Sequence, residues 1–221
     1  SLKKAGLNNF TILERSDEIG GVWRENTYPG AACDVPSRLY SFSFEQDYPW
    51  SLRYAPQKEI LEYLKHCIDK YSLTPHIRLG MEVTKAIYDD DSAKWSVAIK
   101  SGDVITTDIF ISAVGLFNNP SIPAIAGQDS FRGPQFHSAR WDHSVDLNCK
   151  KIASIGSGAS AIQYVPELAK ISKRLNVFQR TPQHIFAKGD RANAQQDHSS
   201  TLWQKLLHRR KRFELFSRFE K

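Results

Sequence analysis

Cysteine is scarce in this 221-residue sequence: Cys33, Cys67 and Cys149 stand far apart, with no C-x-x-C pair among them. An odd, dispersed set of thiols argues against a disulfide framework and against a cysteine-rich zinc site. Long apolar runs are missing too. Nothing approaches the ~18 residues a membrane-spanning helix needs, and the opening Ser-Leu-Lys-Lys-Ala-Gly has no apolar signal-peptide core. The expectation is a reduced, cytoplasmic setting with no membrane span. Repeats and low-complexity tracts are absent. Excess charge is also scarce outside one place. Of the net +6, residues 203–221 supply +5, through seven Lys or Arg against Glu214 and Glu220. The rest of the chain is close to neutral, with no other basic cluster and no nucleic-acid motif, so no nucleic-acid partner is expected. What is present is an ordinary globular composition, 41% hydrophobic and 24% charged, which excludes wholesale disorder. The length suits one large domain or parts of two.

The pattern alternates strands and helices. Phe10–Leu13 reads as a strand, followed by a loop over 15–35 rich in glycine and proline. Ile60, Leu64, Cys67 (or Ile68) and Tyr71 recur at three- and four-residue spacing, which predicts a helix near 57–71. Short strands are expected near 82–88, 94–100 and 104–107, with Trp95, Val97 and Ile99 alternating inward. Asp108–Gly115 reads as a buried strand stopped by glycine. Residues 116–150, punctuated by Pro120, Pro123, Gly127, Gly133 and Pro134, form an irregular linker. Then come a strand at Lys151–Ile155, a glycine turn, a helix over 159–170 and a strand at Leu175–Phe178.

That last unit carries the clearest chemistry. Gly156-Ser157-Gly158-Ala159-Ser160-Ala161 fits G-x-G-x-x-[GA] between a strand and a helix. The first glycine allows the tight turn, the second lets backbone approach a pyrophosphate, and the small third residue lets helix pack on strand. The helix N-terminus adds free N–H groups and positive dipole. Alone, the pattern also suits a tight turn with no ligand. The following strand ends in Gln179-Arg180-Thr181-Pro182, where an NAD site would have an acid. A guanidinium there can grip a 2′-phosphate in a fork, so NADPH is favoured; a plain surface arginine at a strand end is the alternative.

A second, incomplete site is suggested upstream. Glu14 ends a strand and precedes a glycine-bearing loop, the position of a ribose-binding acid that follows its glycine fingerprint by ~20 residues. Only thirteen residues precede it and none forms that fingerprint. Either the fingerprint lies upstream of Ser1, or Glu14 is an exposed glutamate at a strand end.

Two longer patterns extend this reading. Gly20-Gly21-Val22-Trp23-Arg-Glu-Asn-Thr-Tyr28-Pro29-Gly30-Ala-Ala32-Cys33-Asp34 resembles the [AG]-G-x-W-x-x-x-x-[FY]-P-[GM]-x-x-x-D signature of Baeyer–Villiger monooxygenases. Phe131-Arg-Gly133-Pro-Gln-Phe-His137-Ser-Ala-Arg-Trp141-Asp142 resembles their F-x-G-x-x-x-H-x-x-x-W-[PD] fingerprint. Every fixed position is satisfied in both, and the resemblance covers essentially the whole chain, but only the N-terminal half of a family member.

The resemblance implies an α/β flavoprotein with two Rossmann-like dinucleotide-binding domains, here truncated at both ends. NADPH reduces FAD, the reduced flavin activates O2, and one oxygen atom is inserted beside a ketone carbonyl to give an ester or lactone. Residues 1–115 would be the FAD-binding domain, 116–149 the linker, and 150–221 the start of the NADP-binding domain. By the same resemblance Glu14 is the FAD ribose acid, and Gly20, Gly21, Val22 and Trp23 form the loop over the flavin. Ala32, Cys33 and Asp34 lie beside the cofactors, with Asp34 in a catalytic role, holding an arginine expected beyond Lys221. Tyr40 would contact flavin and Val83 the adenine through backbone. Gly156, Ser157, Gly158, Ala159, Ser160, Ala161 and Gln163 match the NADP loop, and Arg180 and Thr181 the 2′-phosphate site. His137 would couple domain movement to catalysis. Bland alternatives stand beside these roles: Trp23 and Trp141 as packing aromatics, Asp34 as a cap, His137 as a structural histidine.

The chain departs from the family at Ala113-Val114-Gly115, where Ala-Thr-Gly is common. As a fragment it is expected neither to retain FAD tightly nor to turn over. Trp203, Leu206, Leu207, Phe213, Phe216 and Phe219 recur at roughly helical spacing between basic residues. A membrane-surface helix is conceivable, but the family inserts a helical region here and a buried helix over 200–221 is preferred. Two rivals remain, a related flavin monooxygenase acting on nitrogen or sulfur and a non-catalytic NADPH-binding module. The ketone and the oligomeric state are left open.

Overall fold

A computed structural model describes residues 2–117, 119–190 and 192. The basic segment 200–221 lies outside the described residues. The chain divides into two compact units that interleave in sequence: Ser1–Tyr28 with Leu61–Asp146, and Pro29–Ile60 with Leu147–Lys221. Of the three crossing points, the last, after Asp146, falls close to the expected end of the linker. One falls inside the first signature, after Tyr28, and another inside a helix, after Ile60.

In the first unit, β1 (Ile12–Leu13) pairs in parallel with β2 (Ile77–Arg78). Glu14 prolongs the ladder by donating its N–H to the Arg78 carbonyl at 3.0 Å. Phe10, expected to begin this strand, instead stacks on the His76 ring with centroids 4.1 Å apart. A meander of β3 (Val83–Asp89), β4 (Lys94–Ile99) and β5 (Val104–Thr107) is antiparallel throughout. Its central strand follows the alternation in the sequence, with Val97 and Ile99 buried and Ser96 exposed. Two ion pairs brace its ends, Lys94 with Asp108 and Lys100 with Glu82. Hydrogen bonding to these lysines holds both carboxyls below the usual carboxylate range.

The expected buried strand at Asp108–Gly115 is not formed. Residues 109–115 have no strand partner among the described residues, and Ile109, Ile111 and Val114 are exposed. A strand exists only by hydrogen bonds to a neighbour. An apolar run bounded by glycine reads the same whether that neighbour is supplied or not.

Helix α3 (Gln57–Lys70) forms where the periodicity places it. Its buried face is Ile60, Tyr63 and Cys67, with Leu64 half-buried. Cys67 rather than Ile68 takes the inner position, and Tyr63, at the same i, i+3 spacing, joins it.

In the second unit, β6 (Lys151–Ile155) and β7 (Arg174–Phe178) pair in parallel in strict register around helix α4 (Ala159–Ile171). A parallel pair needs such a crossover. Ala161 and Leu168 form the buried stripe of α4. Ser154, buried on β6, meets the Tyr164 hydroxyl of α4 at 2.9 Å. The loop-like stretch 33–55 has little regular structure and is held by polar contacts. The Ser37 hydroxyl, on the short helix α2 (Ser37–Tyr40), lies 3.0 Å from the Leu52 and Arg53 carbonyls and accepts from the Ala55 N–H. Ser41 is buried too and accepts from the Trp50 indole N–H at 2.9 Å. Pairing every buried polar atom lets such a loop be buried at all.

Candidate functional site

The glycine turn joins β6 to α4. Gly156 follows β6 directly, and its N–H donates to the Phe178 carbonyl at the end of β7, 2.8 Å away. This bond brings the turn beside the ends of both strands. Gly156 has φ +103°, a conformation an L side chain rarely adopts. Gly158, the N-cap of α4, is different: its φ of −72° suits any residue. A Cβ added at Gly158 would meet no protein atom within 4 Å. Protein packing therefore does not require glycine at 158, and the open space lies over the first turn of a thirteen-residue helix. Ser157 and Ser160 are half-buried and Ala159 is exposed along this turn, while Ala161 faces the strand. Arg180 and Thr181 follow β7, exposed. Arg180 makes no ion pair among the described residues. Open backbone N–H groups, room above them and an uncommitted guanidinium fit a phosphate-bearing dinucleotide.

Gln163 serves a purpose the sequence did not reveal. Its side-chain carbonyl accepts from the Ala32 N–H at 3.2 Å and its amide donates to the Ala32 carbonyl at 2.8 Å. The residue is thus a two-point tie from α4 to the end of the first signature. Gly30 packs so closely on the same helix that an added Cβ would lie 2.7 Å from the Gln163 carbonyl oxygen, and its φ is +79°. Cys33 beside it is buried, and its N–H donates to the Ala55 carbonyl at 2.9 Å. Burial raises the Cys33 thiol above its ordinary value. Asp34 is exposed, as is Tyr40 at the end of α2. The Asp34 carboxylate has no hydrogen-bond partner among the described residues.

In the first unit, Glu14 ends β1, and its carboxylate accepts from the Ser16 N–H at 2.8 Å. Its other oxygen has no partner among the described residues, so it remains able to accept from a hydroxyl. Gly20 and Gly21 lead into helix α1 (Val22–Glu25), a single turn carrying Val22 and Trp23, both half-buried. Gly20 lies against α3, where an added Cβ would meet Leu61 Cδ1 at 2.4 Å. Val83 begins β3 opposite Ile99, beside a register shift.

The second fingerprint folds upon itself. The Phe131 ring lies over Gly133, where a Cβ would meet it at 2.7 Å. Phe136 meets Trp141 edge-on with centroids 5.2 Å apart. His137 caps the 3-10 turn Ser138–Arg140, its Nδ1 accepting from the Ala139 N–H at 3.1 Å. An accepting Nδ1 places the proton of the neutral ring on Nε2. Asp142 accepts from the Ser144 hydroxyl and N–H, which lowers its carboxyl below the ordinary range. The two patterns meet in this unit. Arg140 Nη1 donates to Glu25 Oε2 at 2.8 Å, and Thr27 Oγ1 lies 2.8 Å from His143 Nε2.

Strand, open glycine turn, helix and parallel strand, with Arg180 just beyond, make a Rossmann-like α/β unit. A family model described as flavin-binding monooxygenase-like matches residues 4–210. The chain belongs to that flavin-binding monooxygenase-like family. A Baeyer–Villiger monooxygenase of Streptomyces coelicolor is 44% identical over 191 residues, which are 86% of this chain and 37% of that protein. Among solved structures, cyclohexanone monooxygenase from Rhodococcus sp. Phi1 bound to NADP+ is similar with a TM-score of 0.81 and 37% identity, over 87% of this chain and 37% of that one. The OTEMO complex with FAD and NADP gives 0.82 and 30% identity, over 98% of this chain and 41% of that one. The chain thus spans 37% of the length of the curated relative it matches.

Proposed function

We propose that this protein is a flavin-dependent monooxygenase that takes electrons from NADPH and inserts one oxygen atom from O2 beside a ketone carbonyl, forming an ester or lactone. The observation that carries the reading is the Lys151–Phe178 unit, whose open turn at Gly156–Gly158 is followed by Arg180 where a 2′-phosphate would need a cation. Gly156, Ser157, Gly158 and the first turn of α4 would hold the pyrophosphate of NADPH, and Arg180 with Thr181 its 2′-phosphate. Glu14 would accept from the FAD ribose. Gly20, Gly21, Val22, Trp23, Ala32, Cys33 and Tyr40 would line the flavin, Val83 the adenine, and Asp34 would anchor a cation at the reacting centre.

FAD supplies the two-electron carrier and the site of O2 activation; the residues of this chain bind, orient and shield. In this assignment residues 1–115 serve FAD, 116–149 link, and 150–221 begin the NADP part. Both fingerprints, complete through Trp141-Asp142, support ketone oxygenation over attack on nitrogen or sulfur. The relatives named for Baeyer–Villiger activity and for cyclohexanone support it equally.

The test is the complete gene product, loaded with FAD and given NADPH, O2 and a panel of cyclic, linear and aryl ketones. Product one oxygen heavier, as ester or lactone, supports the reading. Oxygenated sulfide or amine with untouched ketone moves it to the related class. NADPH left unconsumed by a flavin-loaded protein overturns it.

A further inference from the structure

Glu25 and Arg140 occupy unfixed positions of the two fingerprints, so neither residue is given a role by the resemblance. They are nevertheless where the fingerprints touch. The Glu25 side chain is 11% exposed and faces three guanidinium groups. Arg15 lies at 3.3 Å and Arg24 at 3.8 Å, both from its own stretch of chain. Arg140, from 115 residues further on, lies at 2.8 Å. Two residues beyond Glu25, Thr27 meets His143 at 2.8 Å. Two contacts at neighbouring points fix an angle as well as a distance.

The elements joined are too short to place themselves. α1 is one helical turn and Ser138–Arg140 one 3-10 turn, and a single turn is unstable without outside support. Each has other functional residues built into it, Trp23 in α1 and His137 as the cap of the second turn. The second segment is stiffened internally, by Phe131 on Gly133 and Phe136 on Trp141. The Glu25 carboxylate holds this braced segment through Arg140.

We propose that Glu25 and Arg140, seconded by Thr27 and His143, form a clasp that fixes the His137-bearing turn against the Trp23-bearing helix. Glu25 and Arg140 are thus positioning residues for the oxygenation. The functional half of this statement rests on the reading given under Proposed function. The charges make the clasp asymmetric. Without the Glu25 charge, three guanidiniums lose their shared carboxylate, Arg24 keeping Asp17 at 2.6 Å. Without Arg140, Glu25 keeps two partners. Glu25→Gln is therefore the more damaging change, Arg140→Gln the milder, and Arg140→Lys, which keeps the cation, the rescuing variant.

Amide exchange over 20–28 and 137–143, in the FAD-loaded complete protein, tests the clasp without reference to turnover. In Glu25→Gln and Arg140→Gln, exchange should rise in both segments, by roughly tenfold in the first variant and less in the second. Arg140→Lys should stay near wild type. A rise confined to the substituted segment, or none, overturns the clasp. Its positioning role is read from the ratio of ester or lactone formed to NADPH consumed. That ratio should fall by roughly tenfold in Glu25→Gln, less in Arg140→Gln, and stay near wild type in Arg140→Lys. If exchange rises in both segments while the ratio holds, the clasp is structural only and the positioning role is wrong. A wild-type protein that forms no ester or lactone removes the positioning role together with the function it serves, while the exchange result still decides the clasp. Should Glu25→Gln fail to fold, Arg140→Gln, at a residue 43% exposed, carries both measurements.

Discussion

Two glycines of one motif can be needed for opposite reasons, and Gly156 and Gly158, two positions apart, separate those reasons physically. Gly156 is held at φ +103°, so Gly156→Ala costs about 1–3 kcal/mol in backbone strain and should lower the denaturation midpoint. Gly158 has an ordinary φ and open space where a Cβ would go. Gly158→Ala should leave the midpoint nearly unchanged, within about 1 kcal/mol, yet weaken NADPH binding roughly tenfold or more. Calorimetric titration beside a urea melt distinguishes the two. A Gly158→Ala protein that binds NADPH normally would remove the phosphate from that turn. Cys33 gives a pH prediction at the same scale. Its buried thiol has a raised pKa, so the fold holds the neutral form. The associated stability is whole below the unfolded thiol value of about 8.5 and is lost as pH rises through the folded value. Stability should therefore fall above about pH 8.5, less steeply in Cys33→Ala. A thiol reagent at neutral pH should modify exposed Cys149 first and leave buried Cys33 and Cys67 protected in the native protein.

At the scale of elements, α4 does two things at once. Its N-terminus faces open space beyond Gly158, and one turn later its Gln163 ties down the loop that carries Asp34. Gln163→Leu keeps the volume and removes both bonds to Ala32, leaving that peptide without a partner on this side. The expected loss is about 1–3 kcal/mol, read by thermal melting. Gly30→Ala should cost at least as much, because its Cβ has no room against the Gln163 carbonyl and its φ is +79°. If Gln163→Leu melts like the wild type, the tie contributes nothing net. α3 shows the converse, a helix whose placement follows from periodicity while its inner face, Tyr63 and Cys67 included, depends on which residues the neighbouring loops cover.

For the whole molecule, the division of the chain matters more than any single element. The first signature is shared between two units, Gly20–Tyr28 in one and Pro29–Asp34 in the other. A motif read as one word is thus two pieces, one clasped to Arg140 and one tied to Gln163. The apolar stretch after β5 marks surface that nothing described here covers, with Leu116 91% exposed and Phe117 77%. Phe117→Asp in the 221-residue polypeptide should leave its melting unchanged, within about 0.5 kcal/mol, and reduce its binding of a hydrophobic dye. A clear fall in melting temperature would show that Phe117 packs in the core after all.

The sequence by itself determined what local chemistry can encode. Alternation marks the central strand of the meander, three- and four-residue spacing marks α3, and the glycine spacing marks the turn at Gly156–Gly158. The fixed positions of two fingerprints identify the family. Each of these signals lives within a few residues of chain, where propensity and periodicity act. Tertiary structure alone decided the rest. Glu25 finds Arg140, and Ala32 finds Gln163, across more than a hundred residues, and no pattern within either segment names its partner. Residues 109–115 have the composition of a buried strand but no neighbour to make them one. Pairing, burial and division into units are properties of what lies alongside, and only the folded chain supplies that.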